Sequence, residues 1–338
     1  MRVMVTGGTG FVGAHTVAEL ARAGHTLKLV VRAPERVPPA LDPLGVRDVE
    51  VVVGDVTDAG TVERALEGCD AVLHAASVFS FDPRMAKSIE HTNVRATDLV
   101  LSLGQRLGLD PLVHVSSFVA LIGTKGAVLT PNSPVTSPPG AYNRSKAESD
   151  RVARRYQAAG APVVITYPGS VWGPHDPHLG ESCQLVRNIL RRFWAVAPAG
   201  RLPITDVRDL ARLHTAVLEQ GRGPRRYMAT AQNATARDIV GSVMRVTGQR
   251  LPMIELPPWA LQGPARLADA AQSRLPFRLP VGAEPLYIVG RCPALDDAAT
   301  RREFGLLPRD LDETIADTIR WLAQSGQLPP RLAGRLAA

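Results

Sequence analysis

Four glycines fall within seven residues of the run Thr6-Gly7-Gly8-Thr9-Gly10-Phe11-Val12-Gly13. The run follows an apolar, β-branched stretch at 3–6. It opens a helical stretch from Phe11 to about Arg22, closed by Gly24. A strand that turns this tightly into a helix gathers backbone N–H groups and the positive end of the helix at one point, which attracts a pyrophosphate. Gly7 and Gly10 let the backbone turn and approach the phosphates, and Gly13 lets the helix lie close to the sheet; Thr9, Phe11 and Val12 complete the turn. A plain tight turn does not call for so many glycines, so this order of elements reads as a dinucleotide cradle.

The rest of the first half alternates strand and helix. Apolar runs at 26–31, 49–53, 71–74, 112–116 and 162–167 are separated by helical stretches: one capped by Asp58 and ending near Gly68, one over 83–107, and one over 142–159. Continuous apolar strands between helices predict an α/β, doubly wound parallel sheet of the Rossmann type, buried on both faces. After Pro168, proline and glycine become frequent and the clear helices lie near 209–220, 235–246 and 311–324. Residues 1–168 are therefore assigned to a dinucleotide-binding domain and 169–338 to a smaller, partly intertwined substrate lobe, with a return strand to the sheet near 226–229. The segment 256–280 carries Pro257, Pro258, Trp259, Leu261, Leu267, Phe277 and Leu279 among several arginines. It reads as a lid over an apolar pocket, as a helix lying on a membrane surface, or as a helix packed on the lobe.

Bulk properties exclude several classes. Hydrophobic content of 45% with 21% charge is that of a globular chain rather than a disordered one. Three widely spaced cysteines, Cys69, Cys183 and Cys292, suggest neither a disulfide framework nor a zinc site, and a cytoplasmic location is expected. No apolar run reaches membrane-spanning length. The net charge of +7 comes from arginines scattered along the chain, in nothing longer than pairs and without interleaved aromatics. That reads as a solvated surface rather than a nucleic-acid face. Lysine is rare, limited to Lys28, Lys87, Lys125 and Lys146, which makes the placement of Lys146 informative.

The end of the second strand bears on the cofactor. An acidic residue there would accept a bond from a ribose 2′-OH, but this chain has Arg32, with Arg36 nearby. A guanidinium can hold a 2′-phosphate that a carboxylate would repel. NADP(H) is therefore the expected cofactor, with NAD(H) still open if Arg32 is only a solvated arginine. Asp55 and Val56, after the third strand, are placed to meet the adenine; Asp55 equally suits a helix start with Thr57 and Asp58. Ala75 and Ala76, after the fourth strand, offer small side chains where a cofactor must pass closely.

Tyr142-Asn143-Arg144-Ser145-Lys146 sets a tyrosine and a lysine four apart, on one helical face. A tyrosine can protonate the alkoxide formed when hydride reaches a carbonyl, and a nearby ammonium lowers its otherwise high pKa. Ser116 and Ser117 stand as a pair at the end of the fifth strand. The histidines and aspartate of His175-Asp176-Pro177-His178 read as loop residues lining a pocket, with no metal expected. Asp206 reads as a helix cap.

With these pieces in order, the chain resembles the extended short-chain dehydrogenase/reductase family over nearly its whole length. The likeness is carried by 6–13, Gly54-Asp55-Val56, His74-Ala75-Ala76, Asn93-Val94, Val115-Ser116-Ser117, 142–146 and Tyr167-Pro168-Gly169-Ser170-Val171-Trp172-Gly173-Pro174. The resemblance implies a catalytic set of Ser117, Tyr142 and Lys146, with Ser116 the other choice of serine, and Lys146 also bonding the nicotinamide ribose. It adds Pro168, Ser170 and Val171 to the cofactor contacts and a possible homodimer through the helices at 83–107 and 142–159. Asn93 is read either as ordering a water chain to Lys146 or as bonding backbone inside the sheet. Phe118-Val119-Ala120 lacks the carboxylates of sugar-nucleotide dehydratases, and Tyr167 and Ser170 depart from the epimerase pattern. The Val31-Arg32 ending is most like the dihydroflavonol-reductase-like and 3β-hydroxysteroid-dehydrogenase-like branch. The resemblance thus implies an NADPH-dependent carbonyl reductase or alcohol dehydrogenase acting on a fairly apolar small molecule. An NAD-dependent sugar epimerase and a non-catalytic NADP sensor are the alternatives.

Overall fold

A computed structural model describes residues 1–79, 83–193, 195–272, 282–291 and 294–337. Alternating side chains of the apolar strands supply two cores at once, which is why the strands become the middle layer. Val3 and Val5 of the first strand join one buried cluster while Met4 joins the other; Leu73 and Val72, Val113 and Leu112, and Val164 and Val163 divide the same way. Each fully buried aliphatic side chain contributes about 1.5–3 kcal/mol.

The central sheet holds β1 (Arg2–Thr6), β2 (Thr26–Val31), β3 (Glu50–Val53), β4 (Ala71–His74), β5 (Leu112–Val115), β6 (Val163–Tyr167) and β7 (Arg225–Met228). Their spatial order is β3-β2-β1-β4-β5-β6-β7, all parallel. This is the doubly wound order, and it reverses between β1 and β4, where such sheets bind ligands beyond the strand ends. Helices α1 (Phe11–Arg22) and α5 (Val207–Ala216) cover one face. Helices α2 (Ala59–Leu66), α3 (Ala86–Arg106) and α4 (Ala141–Ala158) cover the other. His214 of α5 ties the first face together: it bonds Thr16 of α1 at 2.9 Å and Thr166 of β6 at 3.1 Å.

The return strand expected at 226–229 is β7, paired with β6. Residues 207–228 therefore lie with the sheet, and the chain crosses between the two regions more than once. The expected helix at 209–220 starts earlier, at Val207, because the Asp206 carboxylate accepts the Arg208 N–H at 2.8 Å and caps it. The second lobe has its own three-stranded sheet of Ser170–Trp172, Arg201–Asp206 and Gln232–Thr235. Its core joins Trp172, Val186, Ile204, Val240, Ile315 and Ile319.

Within 256–280, residues Pro258–Gln272 form a helix that packs on a second helix, Ala283–Arg291, and buries Ala265. Trp259 and Leu267 stay 74% and 73% exposed. Phe277 and Leu279 lie outside the described residues, as does Cys292; Cys69 and Cys183 are buried free thiols. Among the described residues no helix is long and apolar enough to cross a membrane.

Candidate active site

The glycine turn is held by backbone. Gly10 N–H donates to the Gly7 carbonyl at 2.9 Å, and Gly7 has φ +74°. A Cβ on Gly7 would fall 2.7 Å from the Ala76 nitrogen, and one on Gly13 would fall 2.0 Å from the Gly7 oxygen. Thr6 Oγ1 bonds His74 Nδ1 at 2.8 Å and accepts the Ala76 N–H at 3.1 Å, which pins Ala75 and Ala76 against the turn. No side chain caps α1 and its first turn holds no acidic residue. The first N–H groups of the helix, at Phe11, Val12 and Gly13, have no partner within the helix and face the switch point. This uncapped, side-chain-free cradle beside Thr9 fits a pyrophosphate. Val12, Ala75 and Val171 pack on the same core cluster, so three of the predicted cofactor segments meet there.

At the far end of the cradle Arg32 and Arg36 are exposed, and among the described residues neither forms an ion pair. Asp55 serves the turn: its Oδ1 accepts Thr57 N–H at 2.8 Å and Thr57 Oγ1 at 2.7 Å, while Asp58 caps α2. Burial pushes the Asp55 carboxyl up, but the Thr57 bonds and the Arg32 charge hold it below its usual range. Val56 packs on the core under the same edge. On the opposite side of the switch point, the Pro168 carbonyl accepts the Phe118 N–H at 3.0 Å, and Ser170 Oγ accepts the Trp172 indole N–H at 2.9 Å.

The two serines separate cleanly. Ser116 Oγ donates to Asp150 Oδ1 at 2.9 Å, in a buried network where Asp150 also meets Tyr167 at 3.3 Å and Arg154 at 2.8 Å. Ser117 caps the short 3-10 turn Phe118–Leu121, and its hydroxyl pulls the Tyr142 phenol down. The geometry favours Ser117 as the serine that acts with Tyr142. Burial and then the Glu284 carboxylate push the Tyr142 phenol up, against the pull of Ser117. Phe79 stacks edge-on to the ring at 4.6 Å.

Lys146 departs from expectation in one respect. Its ammonium donates to the Val115 carbonyl at 3.1 Å, so it is anchored to the end of β5 and is not among the groups that depress the phenol. Burial lowers Lys146 to about 8, with Asp150 pulling it back up. Asn93 bonds backbone, but in the loop after β4 and not inside the sheet. Its amide brackets Val78, accepting the N–H at 2.7 Å and donating to the carbonyl at 3.1 Å, and it donates to Ser145 at 3.0 Å. It positions the loop after β4 against α4, and among the described residues it makes no bond to Lys146. Asp176 is likewise spent on loop shape, accepting the His178 and Gly180 N–H groups at 3.0 and 2.7 Å.

Sequence reasoning missed Glu284. From the second lobe, its Oε1 accepts the Asn143 N–H at 2.9 Å at the start of α4. The only local trace of it is Gly140, where the helix lacks a capping side chain.

A phenol that feels a serine hydroxyl, one helical turn from a buried lysine and in a fold with a dinucleotide cradle, is the machinery of enzymes that work on a nicotinamide cofactor. The chain belongs to the NAD dependent epimerase/dehydratase family, whose sequence model matches residues 3–229. It is 29% identical to the putative dihydroflavonol 4-reductase of Synechocystis sp. over 95% of this chain and 94% of that one. It is also 29% identical to the sterol demethylase protein B of Methylococcus capsulatus, over 97% and 100% of the two chains. Among solved structures, the dTDP-glucose 4,6-dehydratase DesIV of Streptomyces venezuelae, with NAD and TYD bound, matches with a TM-score of 0.75 and 25% identity over 98% of this chain and 99% of that one. Relatives of this kind are NAD(P)-dependent oxidoreductases, epimerases and dehydratases, and the chain is an enzyme of that group.

Proposed function

We propose that this protein is an NADP(H)-dependent carbonyl reductase, or alcohol dehydrogenase in reverse, on a fairly apolar small molecule. The carrying observation is Ser117 acting on the Tyr142 phenol one turn from buried Lys146, with no carboxylate in the adjoining turn. The nicotinamide, when bound, supplies the hydride. Ser117 holds the substrate oxygen, Tyr142 gives it a proton, and Lys146, fixed on the Val115 carbonyl, holds the ribose. Asn93 and Phe79 keep the loop after β4 against the helix that carries Tyr142.

The turn that follows Ser117 argues against dehydration. Phe118, Val119 and Ala120 are buried and apolar, so no acid–base carboxylate stands there. The unpaired Arg32 supports NADP(H) over NAD(H), and a relative named for a sterol supports an apolar substrate. The test is NADPH oxidation against a broad panel of apolar ketones and aldehydes, repeated with NADH and with Arg32→Ala. Turnover with NADPH that Arg32→Ala weakens is expected. No turnover with any member overturns the reductase reading, and equal use of both cofactors by both proteins overturns the cofactor preference.

A further inference from the structure

The N-terminus of the catalytic helix is completed by a residue from the other lobe. α4 begins after Gly140, which has φ +89° and offers no side-chain cap. Glu284, in the first turn of the helix Ala283–Arg291, fills that place by accepting the Asn143 N–H at 2.9 Å. The fit requires glycine: a Cβ on Gly140 would lie 2.0 Å from the Glu284 carboxyl carbon. The bonded amide belongs to the residue directly after Tyr142, so the carboxylate bears on the backbone that carries the proton donor.

We propose that Glu284 is a positioning residue of this site: it latches the second lobe onto the catalytic helix, and its negative charge keeps the Tyr142 phenol in the protonated form that donates to a carbonyl. The inference rests on the reductase reading and deepens it, because it sets how far the pH can rise before the proton donor is lost. Carbonyl reduction needs the neutral phenol and returns it as phenolate. Alcohol oxidation starts from the phenolate and takes up the proton. A nearby carboxylate disfavours the phenolate, so the donor form of Tyr142 persists to higher pH.

The charged surroundings of Glu284 are mixed. Arg144 and Tyr142 face it from α4, Asp269 from the helix Pro258–Gln272, and Lys125, Arg266 and Arg291 line the same cleft of about 680 Å3. Arg144 is itself held by Glu90 at 2.7 Å. Burial pushes Glu284 up to about 7; Asp269 adds to the rise, and the Asn143 N–H and Arg144 oppose it. A carboxyl whose folded pKa is raised contributes most to stability below its unfolded pKa. That contribution is lost as pH rises through about 7.

The test compares the full-length wild type with Glu284→Gln, which keeps an oxygen for the Asn143 N–H but no charge, and Glu284→Ala, which keeps neither; Tyr142→Phe identifies the phenol. The first readout is Tm against pH. Wild type should lose stability relative to Glu284→Gln as pH passes about 7, whereas Glu284→Ala should be lower than Glu284→Gln at every pH. The second is the ultraviolet phenolate titration with NADP+ present, taken as the difference from Tyr142→Phe. Its midpoint should fall by about one pH unit in Glu284→Gln. Wild type and Glu284→Gln with a constant Tm difference and the same phenolate midpoint would overturn the proposal. Neither readout needs a substrate. Shifted midpoints in a protein that turns over no carbonyl compound would keep the Glu284 coupling and overturn the reductase reading instead.

Discussion

The two ends of the site are built in opposite ways. The phosphate end is one continuous stretch, 6–13, in which backbone does the binding and side chains are excluded by distances such as 2.0 Å from a Gly13 Cβ to the Gly7 oxygen. The proposed carbonyl end is assembled from Phe79, Ser117, Tyr142, Lys146 and Glu284, five side chains from four separate parts of the fold. A backbone site tolerates almost no substitution but is insensitive to distant charge. A side-chain site tolerates small changes in shape, yet its proton affinities are set by whatever the fold brings beside it.

The largest break in that contrast should come from the carbonyl end. Tyr142→Phe should lower carbonyl reduction by about 10²–10⁴ while leaving NADPH affinity close to wild type, as read by steady-state rates and fluorescence titration. Ser117→Ala should cost about 10²–10³ in kcat. Ser116→Ala should instead lower Tm, because it removes a partner from buried Asp150; a dead Ser116→Ala beside a normal Ser117→Ala would reverse the assignment. At the phosphate end the pattern inverts. Gly13→Ala should weaken NADPH binding by roughly a hundredfold, about 3 kcal/mol, or prevent folding of the turn.

Two smaller effects sharpen the comparison. Arg32→Ala should raise the NADPH Kd by roughly tenfold to a hundredfold, matching about 1.5–3 kcal/mol for hydrogen bonds to a charged group, and leave NADH unchanged. Because burial holds Lys146 at about 8, its ammonium form is lost as pH rises through that value, and kcat/KM should fall there. Lys146→Arg should flatten that limb, since a guanidinium does not titrate in the range.

The same contrast explains what could be read from the chain. Strands such as Arg2–Thr6 and Ala71–His74 and the glycine turn are local in sequence, and period and composition disclose them. Tyr142 and Lys146 share one helix, so their spacing was legible, but the direction of the lysine was not: its bond to the Val115 carbonyl depends on where β5 ends. Asn93 could be placed on its helix, whereas its grip on Val78 required the course of the intervening loop. Glu284 is 141 residues from the amide it caps, and nothing near either residue announces the pairing except an uncapped glycine. The helix expected at 209–220 was displaced because the Asp206 cap outweighs the apolar pattern as a start signal.

The most direct test of the account is the number of NADPH molecules consumed per enzyme molecule with an apolar carbonyl substrate. The account predicts many equivalents, with stoichiometric alcohol formed and the consumption abolished in Tyr142→Phe. Consumption that stops at one equivalent or less, with the substrate merely interconverted between isomers, would contradict it and mark an epimerase.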